Sequence, residues 1–323
     1  MTAEYFQHSS PALVTHACCV IALIVATAAA ASAAAPTASP APAILVAAAG
    51  DIACDPKPHL GEKFESLLGG CQASKTAQLV ATVHPQALFV LGDAQYESGE
   101  LDAFKQVYDR TWGRYKAITH PTPGNHEYYR SAEADGYFAY FGASAGPRPG
   151  GYYSFNLGDW HIISLNANCN FVGGCGAGSP EETWLRSDLR QDHSACTLAF
   201  WHQPRFSSGT HGSDPQYGAF WDDLYAAHAD VILGGHDHDY ERFAPQTPSA
   251  HADRAHGITE FVVGTGGRSH SIFLKRQANS EARAAGTFGV LVLRFYAHSF
   301  DWHFIPIAGY AFSDRGSREC HSR

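Results

Sequence analysis

A short apolar run that ends in two glycines and two histidines constrains the fold of this chain more than any other stretch. Residues 231–238 read VILGGHDH. A β-branched run bounded by glycines predicts a buried strand that ends near Gly234. Because residues i and i+2 of an extended segment point to the same side, His236 and His238 are expected to converge and Asp237 to point away. Ligand sites in α/β folds favour this position at the carboxyl end of a strand.

The same arrangement recurs in the first third of the chain. Apolar strands predicted over 44–49 and 87–91 both end in Gly-Asp, and a third strand ends in the Pro-Gly-Asn-His stretch at 123–126. Helical patterns over 72–83 and 101–115 separate these strands. Alternating strands and helices are typical of βαβ units, and they predict an α/β fold with parallel strands.

The second half of the chain predicts more strands and longer loops. A serine cap, a proline and two glutamates predict that a helix begins at 179–182. The last strands are expected to form a mostly antiparallel edge. The remaining predictions are strands over 150–156, 160–166, 196–201, 258–263 and 288–304, a helix over 216–229, and loops over 130–150, 203–217 and 243–257.

Composition narrows the class of protein. The chain has 323 residues, of which 45% are hydrophobic, enough for a sizeable core. Its formal net charge is −9, and no stretch concentrates Lys and Arg. A nucleic-acid-binding protein needs a basic face, so nucleic acid is not expected as a structural partner. Composition leaves the oligomeric state open.

The N-terminal region predicts export. A long apolar run covers residues 17–35, and the Ala-Ser-Ala at 31–33 fits a cleavage site. We therefore expect a signal peptide over 1–33, a Pro/Ala linker over 34–43, and a domain over 44–323 that is secreted or periplasmic. The first 19 residues contain no Lys or Arg. Two alternatives therefore stay open: a misassigned start codon, or an uncleaved membrane anchor, since about 20 apolar residues can span a bilayer.

Six cysteines remain once the predicted leader, with Cys18 and Cys19, is removed. An even number in an exported chain favours three disulfides. Proximity in the sequence favours two of the pairs and leaves the last two cysteines for each other. The predicted pairs are Cys54–Cys71, Cys169–Cys175 and Cys196–Cys320, although six cysteines allow about 15 pairings.

Side chains of the metal-ligand type follow one predicted strand after another. They are Asp51, Asp93, Tyr96, Asn125, His202, His236 and His238. Carboxylate, amide, imidazole and phenolate groups in one set suit transition metals, whereas calcium takes oxygen ligands almost throughout. Seven ligands exceed the needs of one tetrahedral zinc ion. Two metals about 3.5–4 Å apart, bridged by one carboxylate, would use them all.

The ordered set Gly-Asp, Gly-Asp-x-x-Tyr, Gly-Asn-His-Glu, a lone His and Gly-His-x-His resembles the calcineurin-like metallophosphoesterases, and among them the purple acid phosphatases. The resemblance implies a four-layer α/β/β/α sandwich with mixed sheets and a binuclear metal centre at the strand ends. It assigns Fe(III) to Asp51, Asp93, Tyr96 and His238. Asp93 would bridge to a divalent metal, Fe, Zn or Mn, held by Asn125, His202 and His236.

Two details favour the purple acid branch. The first motif reads Asp51-Ile-Ala, whereas the general phosphodiesterase and nuclease branches carry Asp-x-His there. The second motif reads GDAQYES and lacks the Gly-Asp-x-Val-Asp-Arg-Gly of the protein Ser/Thr phosphatases. Tyr96 stands where the purple enzymes have their iron-binding tyrosinate.

The resemblance implies an exported acid phosphatase that hydrolyses small phosphomonoesters by direct attack of a metal-bound hydroxide. His126 would face the substrate phosphate, Glu127 would support the metal ligands, and His211 would protonate the leaving group. One alternative is a phosphodiesterase that acts on nucleotides or phospholipid headgroups with the same metals. Another is a non-catalytic secreted binding protein on this scaffold. The natural substrate and the pH optimum stay open.

Overall fold

Two β-sheets pack face to face and place the ends of their parallel strands together. The computed structural model describes residues 43–57, 60 and 69–322. The predicted leader at 1–33, and the predicted linker except its last residue, lie outside the described residues. Among the described residues, no helix is long and apolar enough to cross a membrane.

The strands alternate with short helices along the chain. In chain order the strands are β1 (Ile44–Ala49), β2 (Ala87–Leu91), β3 (Thr119–Thr122), β4 (Tyr153–Leu157), β5 (Trp160–Ser164), β6 (Cys196–Phe200), β7 (Val231–Gly234), β8 (Tyr240–Phe243), β9 (Thr259–Val263), β10 (Ser280–Ala284), β11 (Gly289–Phe295), β12 (Ser299–Pro306) and β13 (Asp314–Glu319). The α-helices are α1 (Ala73–Val83), α2 (Leu101–Ala103), α3 (Asp135–Phe141), α4 (Cys169–Val172), α5 (Pro180–Gln191) and α6 (Gly218–Ala226).

Both sheets are mixed. The first has the order β13-β12-β11-β1-β2-β3, and the second has the order β10-β8-β9-β7-β6-β5-β4. In the first sheet β1, β2 and β3 are parallel, and the other three strands are antiparallel. In the second sheet β5, β6, β7 and β9 are parallel, with antiparallel strands at both edges. The carboxyl ends of the parallel strands therefore define one edge of each sheet, where ligand sites form.

Alternating side chains of each strand build the layers. Phe89 of β2 stacks on Phe200 of β6 with ring centroids 5.1 Å apart, which fills the space between the sheets. Ile232 of β7 points to the opposite face and belongs to a second apolar cluster with Phe220 of α6. On the other side, Val80 of α1 packs with β1 and β11. This confirms the predicted α/β class with a four-layer arrangement and mixed sheets.

Several predicted elements are confirmed and others are wrong. The helix over 72–83 is present as α1, and Ser179 caps α5 by accepting a hydrogen bond from the Glu182 N–H at 3.2 Å. The predicted helix over 101–115 is wrong beyond its first turn. The chain there forms a π-helix at Phe104–Tyr108 and then a 3-10 helix at Trp112–Ile118.

A side chain from the neighbouring loop explains this change of helix type. The Tyr108 N–H donates to Gln95 Oε1 at 3.1 Å instead of continuing a regular ladder. Phe104 and Tyr108 both pack on Tyr140 of α3, with centroids 4.8 and 5.5 Å away. Tertiary packing therefore overrides the helical pattern here.

The polar edge strands were not predicted. The loop expected over 130–150 contains the helix α3. The strand β8 was not predicted, and it ends at residue 243, where a loop was expected to begin. The strands β10 and β13 were also not predicted. The region 288–304 forms two antiparallel strands of the first sheet, β11 and β12, whereas β9 lies in the second sheet between the parallel β7 and the antiparallel β8. β13, with the sequence DRGSRE, has the alternating exposure of an edge strand without an apolar face, so its residues carry no hydrophobic signal.

The three predicted disulfides are confirmed. They join Cys54 to Cys71, Cys169 to Cys175 and Cys196 to Cys320. The third joins the start of β6 in one sheet to the residue after β13 in the other. Beside it, the buried Asp230 carboxylate accepts hydrogen bonds from the Thr197 N–H at 2.8 Å and the His321 N–H at 2.7 Å.

Removing a long-range disulfide should destabilise the fold more than removing a local one. Cys196–Cys320 separates its partners by 124 residues, and Cys169–Cys175 by 6. In the chain-entropy model the first contributes about 5 kcal/mol and the second about 2 kcal/mol. Urea unfolding of the Cys196→Ala/Cys320→Ala and Cys169→Ala/Cys175→Ala variants measures both losses. A larger loss in the second variant would contradict the prediction.

Candidate metal centre

All seven predicted ligands lie at the carboxyl ends of parallel strands. Each follows its strand by two to five residues: Asp51 follows β1, Asp93 and Tyr96 follow β2, Asn125 follows β3, His202 follows β6, and His236 and His238 follow β7. The first three strands belong to one sheet and the other two to the second sheet. The centre therefore forms where the two sheets meet.

The backbone turns sharply at three of these ligands. Asp51, Asp93 and His236 adopt φ values of 60°, 46° and 71°, in the left-handed region. For residues other than glycine such a conformation costs on the order of 1–3 kcal/mol, and it persists where the surroundings enforce it. Here it occurs at the strand end, where the side chains of all three residues meet ligands from the other sheet.

Close packing explains the glycines that precede the ligands. A Cβ on Gly124 would lie 2.1 Å from Asp93 Oδ1, and a Cβ on Gly92 would lie 2.5 Å from His202 Nδ1. The ligands of different strands therefore approach each other across backbone that carries no side chain.

The first group of ligands surrounds the Tyr96 hydroxyl. Tyr96 Oη lies 2.7 Å from Asp51 Oδ1, 2.9 Å from Asp93 Oδ2 and 3.0 Å from His238 Nε2. His238 Nε2 is also 3.2 Å from Asp51 Oδ1. A phenol has one proton, so it cannot donate to both carboxylates at once. A metal ion bound by these four side chains fits the arrangement.

The second group shares Asp93 with the first. Ligand atoms of Asp93, His202 and His236 all lie within 4.8 Å of one another, and His202 Nε2 is 3.1 Å from Asp93 Oδ2. Asn125 Oδ1 is buried and has no hydrogen-bond partner among the described residues, and the buried His202 Nε2 contacts Asp93 without the geometry of a hydrogen bond. Such atoms are costly unless something binds them. A second metal bound here would satisfy both, and Asp93 is placed to bridge.

Hydrogen bonds at the far side of each ligand fix its orientation. His202 Nδ1 lies 2.7 Å from the Leu91 carbonyl oxygen, which directs Nε2 to the centre. The Asn125 amide donates to Tyr129 Oη at 3.0 Å, which directs its own carbonyl oxygen inward. Support of this kind sets the tautomer and orientation of metal ligands.

The pKa shifts of these residues also favour a bound cation. Burial alone would raise the pKa of Asp51 and of Asp93, but the neighbouring imidazoles of His238 and His202 hold both carboxyl pKa values below their usual range. Burial opposes the charged form of His202, yet Asp93 and Asp51 raise its pKa to about 10. Burial and the two carboxylates raise the pKa of Tyr96 well above its usual value, so the phenolate requires a strong positive charge beside it.

Glu127 lies beneath the ligands, in agreement with its predicted supporting role. Its carboxylate accepts the N–H groups of Asp93 at 2.9 Å and of Gly124 at 2.7 Å, and so ties β2 to β3 at their ends. Burial, and then the charge of Asp93, raise the Glu127 pKa to about 8.

Three supporting residues were missed by sequence reasoning. Ser269 Oγ lies 2.7 Å from His238 Nδ1, and Ser271 Oγ accepts the His238 N–H at 2.8 Å. The Arg268 guanidinium lies over the Tyr96 ring at 5.0 Å and pairs with Glu97 at 3.2 Å. The stretch RSHS after the Gly264–Gly267 turn carried no motif, because these contacts depend on how the loop after β9 crosses the centre.

His126 faces the centre from the β3 side. Its N–H donates to Asp93 Oδ1 at 2.9 Å, and its Nδ1 lies 2.6 Å from the Glu97 carbonyl oxygen. The imidazole packs 4.1 Å from the Tyr96 ring, centroid to centroid, and its Nε2 is 3.8 Å from Asp93 Oδ2. The side chain is therefore held at the rim of the first ligand group.

His211 reaches the other ligand group through a loop held by Asp237. The His211 ring is exposed and lies 4.2 Å from the His236 ring, centroid to centroid. The buried Asp237 carboxylate accepts the N–H groups of His211 at 2.8 Å and of Gly212 at 3.2 Å, together with the Ser207 hydroxyl. Asp237 thus points away from the ligand groups, as the alternation of the motif predicts.

Comparison with known proteins identifies the family. The sequence profile of the calcineurin-like phosphoesterases matches residues 44–240, which is more than half of the chain. The chain therefore belongs to the calcineurin-like phosphoesterase family. Within that family it is similar to the purple acid phosphatases. It is 32% identical over 149 residues to Purple acid phosphatase 15 of Arabidopsis thaliana, which covers 41% of this chain and 27% of the relative.

Solved structures show the same fold. Purple acid phosphatase PPD1 from yellow lupin (Lupinus luteus) seeds superposes with a TM-score of 0.68 at 16% identity, covering 86% of this chain and 54% of the lupin chain. GAP50, the anchor in the inner membrane complex of Plasmodium, superposes with a TM-score of 0.59 at 14% identity, covering 87% and 90% of the two chains. The matched part of this chain thus spans about half of the lupin enzyme and a smaller share of the Arabidopsis relative.

Replacing Gly124 with alanine should disrupt the shared ligand. The added Cβ would lie 2.1 Å from Asp93 Oδ1 and 2.4 Å from the Asp93 backbone nitrogen, so Asp93 must move. We expect metal affinity to fall about tenfold or more. Metal content after dialysis against a chelator, measured by mass spectrometry, is the test. Gly218→Ala is the matched control, since a Cβ there meets no atom within 4 Å. Wild-type metal content in Gly124→Ala would contradict the steric argument.

Proposed function

We propose that this protein is an exported, metal-dependent phosphoesterase with a binuclear centre, and that it acts as an acid phosphatase on small phosphomonoesters. One observation carries the proposal. Asp51, Asp93 and His238 converge on the hydroxyl oxygen of Tyr96, while His202 and His236 approach the Asp93 carboxylate from the other sheet. The phenol in this set favours Fe(III) on its side and a divalent Fe, Zn or Mn ion on the other.

The chain positions its own residues around the phosphate. Two metals bound at this centre would supply an activated water and neutralise charge on the phosphoryl oxygens. His126, fixed by Asp93 and by the Glu97 carbonyl, presents its ring where a phosphate oxygen would lie. Catalysis would therefore depend mainly on positioning and on electrostatic stabilisation.

His211 is the candidate acid for the leaving group. It is exposed, so a substrate can reach it, and its backbone is fixed through Asp237 to the strand end that carries His236 and His238. A histidine suits proton transfer at neutral or mildly acidic pH. Asp237 acts as a positioning residue, because it touches the loop rather than the reacting atoms.

Experiments can distinguish the proposed function from two others. A phosphodiesterase would use the same ligands, so the preferred substrate distinguishes the two. A non-catalytic role is a known use of the fold, since GAP50 is an anchor. Against it, all seven ligand positions carry a residue that can bind metal, and hydrogen bonds or ion pairs orient six of the seven side chains towards the two groups.

Export is supported by the disulfides and by the N-terminal sequence. Three disulfides are typical of oxidising compartments. The apolar run at 17–35 followed by Ala-Ser-Ala has the pattern of a signal peptide. Secretion or delivery to the periplasm would place both the disulfides and the acidic chain where they are stable.

The first test combines metal analysis with a substrate screen on the purified mature protein. We expect about two metals per chain, a visible absorption band from tyrosinate bound to iron, and faster hydrolysis of phosphomonoesters than of diesters. Asp93→Ala should lose metal, colour and activity together, because Asp93 belongs to both ligand groups. Asp102→Ala, an exposed aspartate in α2, is the control. An active, fully metallated Asp93→Ala would remove the bridging role, and a preference for diesters would favour the phosphodiesterase.

The acid role of His211 predicts a dependence on the leaving group. His211→Ala should slow the hydrolysis of alkyl phosphates about 10²-fold or more, and that of p-nitrophenyl phosphate much less, because nitrophenolate leaves without protonation. The kcat values of the two substrates give the comparison. His193→Ala, an exposed histidine before the amino end of β6, should change neither. Equal losses on both substrates would exclude the acid role.

A further inference from the structure

Tyr129 is a large aromatic side chain left in solvent beside the metal centre. Its side chain is 60% exposed. Tyr129 comes directly after the short 3-10 helix His126–Tyr128, which itself follows Asn125. Most other tyrosines and tryptophans between residues 69 and 140 are buried. A single exposed ring is common on protein surfaces, so what makes Tyr129 a candidate ligand contact is its position against His126 and Asn125.

The Tyr129 ring is held in a fixed place by two residues of the site. Its hydroxyl accepts a hydrogen bond from the Asn125 amide at 3.0 Å, and its ring lies 4.2 Å from the His126 imidazole, centroid to centroid. One side of the ring packs on His126 and the exposed remainder is free to contact a substrate.

We propose that Tyr129 is a specificity-determining residue that stacks on the leaving group, and that the preferred substrates are phosphomonoesters with an aromatic or other flat apolar group next to the phosphate. The inference rests on the proposed phosphatase function. A phosphate bound between the metals and His126 places its ester oxygen near the rim, within reach of the ring beside His126. Aromatic pairs gain energy beyond simple area burial, whereas a polyol offers no flat face to the ring.

A second apolar surface borders the segment that carries His211. Ile272 and Leu274 are exposed by 63% and 66%. The Ile272 N–H and carbonyl both bond to the Thr210 hydroxyl at 3.2 Å, and the Leu274 N–H bonds to the Ser208 carbonyl at 3.1 Å. An aromatic ring thus contacts His126, and two exposed apolar residues pair with the segment just before His211; both features favour an apolar leaving group over a charged one.

The test compares benzyl phosphate with ethyl phosphate. Both esters release a primary alcohol of similar acidity, so the ratio of their kcat/KM values reports recognition of the ring and not the chemistry of departure. The metal-loaded wild-type enzyme should prefer benzyl phosphate. Tyr129→Ala should lower the ratio about two- to tenfold, mainly through a higher KM for benzyl phosphate.

Two variants separate the ring from its hydroxyl and from general surface effects. Tyr129→Phe keeps the ring and loses the bond to Asn125, so it should retain the wild-type ratio. Tyr296→Ala removes an exposed tyrosine far from the metal ligands. Tyr296 directly follows β11, whose last residue pairs with the first residue of β1, whereas the ligand Asp51 comes after the last residue of β1. Its ratio should equal that of the wild type.

The outcomes are distinct. An unchanged ratio in Tyr129→Ala overturns the inference, as does an equal fall in Tyr129→Phe. If the wild type hydrolyses neither ester, the proposed function fails, and calorimetric binding of benzylphosphonate and ethylphosphonate to the metal-loaded protein then tests Tyr129 alone. Selective weakening of benzylphosphonate binding in Tyr129→Ala supports the inference. Equal binding of both phosphonates by the wild type and by the variant overturns it.

Discussion

The carboxylates of Asp51 and Asp93 lie within reach of the same phenol oxygen, and neither is exposed to water. Two buried carboxylates this close are unfavourable without positive charge beside them. The imidazoles of His202 and His238 supply part of that charge, and two bound metals would supply the rest. Because these histidines come from the second sheet and the aspartates from the first, the pairing also determines how the sheets meet.

The loops at this edge are shaped to make that meeting possible. The left-handed turns at Asp51, Asp93 and His236 would be unfavourable in isolation. They are held by hydrogen bonds that cross between strands, such as the Gly50 N–H to the Val263 carbonyl at 2.9 Å and the Asp51 N–H to the Gly92 carbonyl at 3.1 Å. The stability of the scaffold thus maintains a strained arrangement in which ligands from both sheets face one another.

The candidate ligands stand out in the sequence, whereas the residues that support them do not. Gly-Asp and Gly-His-Asp-His after apolar runs are visible because strand periodicity and glycine punctuation are local signals. Arg268, Ser269 and Ser271 contact the candidate ligands from a loop whose path depends on the whole second sheet. No local sequence pattern therefore indicates their role. The same reason applies to Tyr129, which looks like any loop tyrosine until its contacts with Asn125 and His126 are seen.

The Cys196–Cys320 disulfide has a consequence for proteolysis. It encloses every element from β6 to β13, including the exposed segment around His251 and Arg254. A protease that cuts the chain once within that span would release no fragment, since both pieces stay covalently joined while strands of both sheets remain paired. Such a nicked molecule would keep its full mass until a reductant separates the halves. For a protein exposed to proteases, one cleavage would then leave the two ligand-bearing sheets together.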